Sequence, residues 1–174
     1  MMLRSLFAFL IVAFLLPVPT AFAQSVTIDN TEYRQKVLKY LASDYFITEG
    51  QGLNRVYIGQ TLEQLESALG KPVKSKRKNL LSRTRINTYQ LDKQTALQVG
   101  INKGTVQAIA VAGAVSSQYT TAKGARFGMP PNEIINYYGP NKLKNNKLLY
   151  ASLGIRFDFK NKRLNIIRIF PAKK

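Results

Sequence analysis

The sequence predicts an α+β fold: two tandem α-β-β(-β) repeats forming antiparallel sheet(s) with helices packed on one face, preceded by an N-terminal helix. Three observations predict it. A sequence pattern recurs at a fixed spacing, two short segments have helix start and stop signals, and paired segments alternate between apolar and polar residues as strands do. The predicted organisation is a cleavable signal peptide at 1–23, an N-terminal helical segment at 24–50, repeat 1 at 51–113, a connector at 114–123 and repeat 2 at 124–174.

The first 23 residues have the pattern of a secretory signal peptide. Arg4 supplies the positive charge, residues 6–16 are nearly all apolar, and Ala-Phe-Ala at 21–23 is a typical cleavage pattern. Two prolines end the apolar stretch well before the roughly 20 residues that a membrane-spanning helix needs. We therefore expect a periplasmic or secreted protein that begins at about Gln24 and has no membrane span after cleavage.

Composition restricts both stabilisation and partners. The chain has no cysteine, so it forms no disulfide, and the cleavage site lacks the cysteine to which a lipoprotein's lipid is attached. It has 26 Lys and Arg residues against 9 Asp and Glu, a formal net charge of +17. Cleavage removes only Arg4 from this excess. A charge of this sign favours anionic partners such as acidic proteins, lipopolysaccharide, anionic lipid or nucleic acid.

The segment that follows the signal peptide predicts a helix. Asp29 or Asn30 can cap its N-terminus, because a short polar side chain accepts hydrogen bonds from free backbone N–H groups. Val37 and Leu41 stand at i, i+4 and give the helix one apolar stripe through about Ala42.

A glycine pattern marks the two repeats. Gly59 and Gly70 are eleven residues apart, as are Gly128 and Gly139, and the second pair follows the first by 69 positions. Each interval predicts a short helix, because apolar residues stand within it at i, i+4. These pairs are Leu65 with Leu69 and Ile134 with Tyr138.

The ends of both predicted helices have recognisable signals. Thr61 and Gln64 form a capping box in the first. Pro131 suits the first helical position of the second, where no N–H is needed. Gly70 and Gly139 suit the left-handed position after a helix, so we interpret the four glycines as structural rather than phosphate-binding.

Each repeat continues into two strands joined by a turn. In the first, residues 97–102 alternate and the chain returns at 106–111; in the second, residues 155–160 alternate and the chain returns at 164–170. The two strand pairs are offset by 58 positions. The alternating apolar residues, which we expect in the core, are Leu97, Val99, Ile101, Ile155, Phe157 and Phe159.

Basic residues concentrate in two stretches. Residues 71–89 contain several Lys and Arg and no acid, and predict a basic loop leading into a strand; the second stretch follows residue 142. The candidate contacts to an anionic partner are Lys74, Lys76, Arg77, Lys78, Arg83, Arg85, Arg156, Lys160, Lys162 and Arg163.

These motifs resemble those of the BamE/SmpA family and of the β-lactamase inhibitor protein (BLIP-like) family. The residues concerned are VYIGQT at 56–61, LGKP at 69–72 and YASLGIRFDF at 150–159. The resemblance covers about residues 53–171 in two copies. Two copies favour the inhibitor-protein arrangement, because BamE has a single copy of the unit. It implies that the sheets join or lie side by side with helices on one face, and that the other face or its loops bind a protein partner.

Two departures from those families stand out. The missing lipid-attachment cysteine argues against a BamE-like anchored role, and the inhibitor proteins have disulfides that this chain lacks. The resemblance assigns no functional residue here.

The chain also lacks histidine. Without His and Cys, a Ser-His-Asp triad, a Cys-His pair and an imidazole zinc site are all impossible. We therefore predict no catalytic residue, cofactor or metal, and expect a non-catalytic binding module for a protein partner of the cell envelope, of inhibitor or assembly-factor type. The alternatives are an electrostatic binder of an anionic polymer or membrane surface and, more remotely, a hydrolase that uses two carboxylates.

Overall fold

A computed structural model describes residues 45–77 and 83–173 of the chain. Their strands are β1 (Phe46–Thr48), β2 (Gly52–Leu53), β3 (Val56–Tyr57), β4 (Lys74–Arg77), β5 (Arg85–Asp92), β6 (Thr95–Asn102), β7 (Thr105–Gly113), β8 (Thr120–Thr121), β9 (Lys147–Tyr150), β10 (Ile155–Lys160) and β11 (Arg163–Ile169). Their α-helices are α1 (Leu62–Leu69) and α2 (Pro131–Tyr138), and a 3-10 turn spans Ala151–Leu153.

The strands form two sheets. The large sheet has the order β4-β5-β6-β7-β11-β10-β9, and all its pairs are antiparallel. The small sheet has the order β3-β2-β1-β8, in which β1 and β8 are parallel. Residues 45–77 and 83–173 are therefore mostly β, with two α-helices.

One face of the large sheet carries the core. The residues predicted from alternation are buried there, with Leu97 and Phe157 fully so. Leu65 of α1 and Ile134 of α2 are also fully buried, in the same core. The helices of the described residues thus pack on this face, as predicted, because their i, i+4 apolar stripes need an apolar surface to cover.

The predicted N-terminal signals of both helices are confirmed. Thr61 Oγ1 accepts from the backbone N–H of Gln64 at 3.2 Å, and Gln64 Oε1 accepts from that of Thr61 at 3.0 Å, which completes the capping box. Pro131 begins α2. Gly70 and Gly139 end the helices with positive φ of 74° and 90°, but their ψ of −159° and 171° lie outside the left-handed region that was predicted.

Backbone contacts recur at the two offsets seen in the sequence. Gly59 N–H donates to Val106 O at 2.8 Å, and Gly128 N–H donates to Leu164 O at 2.9 Å. The two donor glycines are 69 positions apart, and the two acceptor residues are 58 positions apart. The β6–β7 pair has an irregularity after Gly100, and the β10–β11 pair has one 58 positions later, after Asp158.

The two groups of strands meet in the middle of the large sheet. β7 pairs with β11, so from either side the order runs inward as β5-β6-β7 and as β9-β10-β11. The result is one continuous sheet. β4 is added outside β5, and no described strand lies outside β9.

The basic segment after α1 corrects one prediction. Within the predicted loop, Lys74–Arg77 forms edge strand β4, held by pairing with β5 and by a 2.7 Å hydrogen bond from Ser75 Oγ to Asn87 Oδ1. All four of its residues are exposed, so the sequence has no alternation of apolar and polar residues to indicate a strand there. Lys78 lies outside the described residues.

Two further segments differ from the prediction. The end of the segment 24–50, assigned to helix, contains β1, and the connector 114–123 contains β8. Both strands are short and depend on pairing with each other across a long stretch of chain. The predicted helix that ends near Ala42 and the signal peptide lie outside the described residues.

Candidate functional site

The face of the large sheet opposite the core is called the open face here. Its central row runs across all seven strands, because cross-strand partners point to the same side. Gln98 and Leu149 in this row are exposed, Leu149 by 50%. From β4 to β9 the row is Lys74, Thr88, Gln98, Ala110, Arg168, Arg156 and Leu149.

Small residues occupy the middle of the open face. The rows flanking the central one are Lys76, Ile86, Gly100 and Ala108 on one side, and Gln90, Ala96, Ala112, Ile166, Asp158 and Lys147 on the other. Apart from Gln98, the side chains of β6 and β7 in these rows therefore extend little beyond the backbone, whereas Arg156 on β10 and Arg168 on β11 are long.

This difference in size produces a groove of about 330 Å³, called the central groove. Gly100, Ala108 and Ala110 line it with little more than backbone and Cβ atoms. Further lining residues are the apolar Ile86 and Phe170 and the basic Arg156 and Arg168.

An ion cluster lies beside the central groove. Asp158 accepts hydrogen bonds from Arg156 Nε at 2.7 Å and Nη2 at 3.1 Å, and from Arg168 Nε at 2.7 Å. Burial by itself raises the pKa of Asp158, but the hydrogen bonds and charges of the two arginines outweigh it and hold the pKa below the ordinary value. The cluster therefore contains one carboxylate and two guanidinium groups, a net charge of +1.

Among the described residues, the basic residues predicted as contacts lie in separate parts of the structure and do not form one patch. Lys74 and Lys76 belong to rows of the open face at its β4 edge. Arg77 is the cross-strand partner of Arg85, and both are exposed. Arg83 is exposed just before β5.

The remaining predicted contacts lie elsewhere. Lys160, Lys162 and Arg163 are at the β10–β11 turn, at the end of the sheet opposite Arg85, as the registers show. Arg163 donates to Gly128 O at 3.1 Å. Among the nine predicted contacts that the structure describes, only Arg156 lines the central groove.

Sequence reasoning missed Arg168. It stands between Ile167 and Ile169, which are both fully buried, so strand alternation places it on the open face. That signal was present in the sequence. Its neighbours Arg156 and Ala110 could not be identified locally, because they depend on strand pairing.

The four motif glycines have backbone geometry that suits glycine. Gly59 and Gly128 have φ of 89° and 87°, in the region that other residues rarely adopt. A Cβ on Gly128 would lie 2.9 Å from Val115 Cγ2.

A second polar contact lies on the core side. The hydroxyl of Tyr138 in α2 donates to Glu49 Oε1, which ties the turn after β1 to the helix. Burial, and then the hydrogen bond to Glu49, raise the pKa of Tyr138 well above its ordinary value. Lys123 Nζ lies 5.2 Å from the centre of the same ring.

Two kinds of feature are absent from residues 45–77 and 83–173. No group of three or more carboxylates there could hold a metal ion. No helix in that part of the chain is long and apolar enough to cross a membrane.

Comparison with known proteins gives distant structural similarity. No family model matches the chain, and no curated protein matches it. An extracellular protein with an SCP domain from Bacillus anthracis aligns over 66% of this chain with 14% identity and a TM-score of 0.47. A cysteine-rich secretory protein from Staphylococcus aureus aligns over 66% with 14% identity and a TM-score of 0.38. The chain covers 44% of each of these two proteins, less than half of their length.

A third solved structure is a candidate beta-lactamase inhibitor protein from Streptococcus mutans. It aligns over 80% of this chain and 96% of its own, with 16% identity and a TM-score of 0.28. At these TM-scores none of the similarities assigns a function.

Proposed function

We propose that the protein is an exported, non-catalytic binding module that holds a protein partner on the open face. The observation that carries the proposal is the makeup of that face, which combines a small-residue groove, apolar side chains and arginines. The core and both described helices lie on the other side of the sheet.

Interface chemistry supports a protein partner. Arginine is enriched where proteins bind each other, and apolar contact supplies much of the affinity. Leu149 is half exposed directly beside Arg156, while Ile86 and Phe170 line the groove with Arg168. A polyanion needs positive charge but gains little from apolar lining.

We also propose that residues 51–113 and 124–174 are two copies of one unit. The recurrence of helix bounds, glycine conformations and strand irregularities at offsets of 69 and 58 supports this. Two copies that join through β7 and β11 give a wider sheet than one copy provides, and hence a wider open face.

Export is proposed from the signal-peptide pattern at 1–23. The module would then reach its partner by affinity. Within the envelope it would act as an inhibitor or an assembly factor.

The proposal is tested by a matched pair of arginine substitutions. Gln98→Arg places a long charged side chain in the middle of the open face, and Ser67→Arg places one on exposed α1. The tagged variants are isolated from envelope extract of the producing cells. We expect wild type and Ser67→Arg to recover similar amounts of the partner. Gln98→Arg should recover about tenfold less, because it disrupts the centre of the interface. Equal recovery with both variants would reject the open face as the binding surface.

One observation favours a second function, binding of an anionic polymer or surface. Arg77 and Arg85 are exposed and directly opposite each other, and like charges in that position destabilise a sheet. A bound phosphate would relieve the repulsion. Binding of lipopolysaccharide, anionic vesicles or an oligonucleotide should then fall steeply with salt, and more in Arg77→Gln than in Lys93→Gln, which removes an exposed charge at the β5–β6 turn. Salt-insensitive binding would exclude this function.

A further inference from the structure

We infer that the central groove receives a carboxylate side chain, a glutamate or aspartate of the protein partner. The inference rests on the proposed function, since it names the chemistry of the partner at the same face.

The lining of the central groove is positively charged. The groove is lined by Arg156 and Arg168 and by no acidic residue. Asp158 neutralises only one of the two positive charges. Arg168 uses Nε for Asp158, and its Nη1 and Nη2 make no hydrogen bond to another described residue. These two groups can donate to an incoming carboxylate.

Asp158 holds both arginines in position. A guanidinium is planar and donates two parallel hydrogen bonds to a carboxylate. Asp158 holds Arg156 through two nitrogens and Arg168 through one, all within 3.1 Å. A side chain already held in place loses less conformational entropy on binding.

The shape of the groove selects the kind of anion. Gly100, Ala108 and Ala110 leave room beside the arginines, and Ile86 and Phe170 offer apolar surface. The methylene groups of a glutamate or aspartate can lie against that surface while the carboxylate meets Arg168. A phosphate has no such apolar stem, so the lining fits an acidic side chain better.

The test uses a capped peptide of alternating threonine and glutamate, with the glutamine counterpart as control. NMR follows the backbone amides of Gly100 and Ala108 and the Nε–H of Arg168 during titration. We expect saturable shifts at these groups with the glutamate peptide alone. Arg168→Gln should weaken the affinity about tenfold, the effect expected for hydrogen bonds to a charged group. Lys93→Gln, which removes an exposed charge at the β5–β6 turn outside the groove, should leave the affinity unchanged.

Several results would overturn the inference. They are equal shifts with the glutamine peptide, equal weakening by Lys93→Gln, shifts at Arg77 and Arg85 in place of the groove, or equally strong, Arg168-dependent shifts with polyphosphate. If Arg168→Gln loses the dispersed spectrum of a folded protein, Arg168→Lys takes its place. That variant keeps the charge but lacks the paired donors, so it should still weaken binding.

The inference and the proposed function can fail separately. If Gln98→Arg abolishes recovery of the partner while Arg168→Gln leaves it unchanged, the open face binds a protein but not through a carboxylate in the groove. If Gln98→Arg has no effect, the open face itself is not the binding surface.

Discussion

Arg168 donates from Nε to Asp158 Oδ2 at 2.7 Å, between neighbouring strands β11 and β10. The contact is diagonal, because the direct cross-strand partner of Arg168 is Arg156. Asp158 thus bridges two arginines that would otherwise repel each other. The bridge stabilises the sheet and also fixes the arginines at the edge of the central groove.

Replacement of the bridging carboxylate should destabilise the fold. Asp158→Asn leaves Arg156 and Arg168 opposed without a negative charge, and a lost hydrogen bond to a charged group costs about 1.5–3 kcal/mol. We expect a loss of that order in the free energy of unfolding in urea. Glu63→Gln, which removes an exposed charge from α1, should change it by less than about 0.5 kcal/mol. Equal stability of the two variants would contradict the bridging role.

The same carboxylate should make stability depend on acid. The pKa of Asp158 in the folded protein lies below its ordinary value of 3.8. The stabilisation is therefore complete above that value and is lost as the pH falls toward the folded pKa. Urea midpoints measured from about pH 6 to about pH 2 should decline below about pH 4. The urea midpoint of Asp158→Asn should decline less over that range. If the variant shows the full wild-type decline, the acid sensitivity comes from other carboxylates.

Loss of the tyrosine hydroxyl on the core side should weaken the fold. Tyr138→Phe keeps the ring contact with Phe157, whose centroid lies 4.8 Å away, but removes the hydrogen bond to Glu49. We expect a loss of about 1.5–3 kcal/mol by urea unfolding at neutral pH. Tyr137→Phe, at a neighbouring exposed position, is the matched control and should be close to wild type.

Tyr138 should also contribute to alkaline sensitivity. Burial raises its pKa above the ordinary value of 10.0, so its stabilisation is present below pH 10 and falls as the pH rises beyond it. The pKa values of Tyr89 and Tyr150 are also raised by burial, so Tyr138→Phe should remove only part of the loss between about pH 9 and about pH 11. If the variant loses as much stability at alkaline pH as the wild type, Tyr138 does not contribute to the loss.

Two glycines form a matched test of backbone geometry. Both have positive φ, so alanine at either costs about 1–2 kcal/mol in strain. A Cβ on Gly59 would meet no atom within 4 Å, whereas one on Gly154 would lie 2.8 Å from Gly50 Cα and against the carbonyl of Phe170. We expect Gly154→Ala to lower the melting temperature more than Gly59→Ala. The reverse order would contradict the close approach of the chain at Gly154.

What the sequence predicted correctly depends on local signals. The capping box at Thr61 needs only neighbouring residues, and the alternation of Ile155, Phe157 and Phe159 follows from one strand with one buried face. Both are visible without knowledge of the partner strands.

What it missed depends on distant pairing. β4 is fully exposed and exists because β5 pairs with it. β1 and β8 are two or three residues long and pair across more than 70 positions. The groove forms only when the pairing of β7 with β11 brings Ala110 beside Arg168. It therefore cannot be predicted from the sequence of either half of the chain alone.

The most direct test of the open face is photo-crosslinking at Gln98. A photoreactive side chain is placed at Gln98 or, as the control, at exposed Ser67 on α1, and cells that produce the protein are irradiated. The account predicts one defined protein adduct at Gln98, identified by mass spectrometry, that is absent at Ser67 and outcompeted by unlabelled wild type. An adduct with the same protein at Ser67 and none at Gln98 would contradict it.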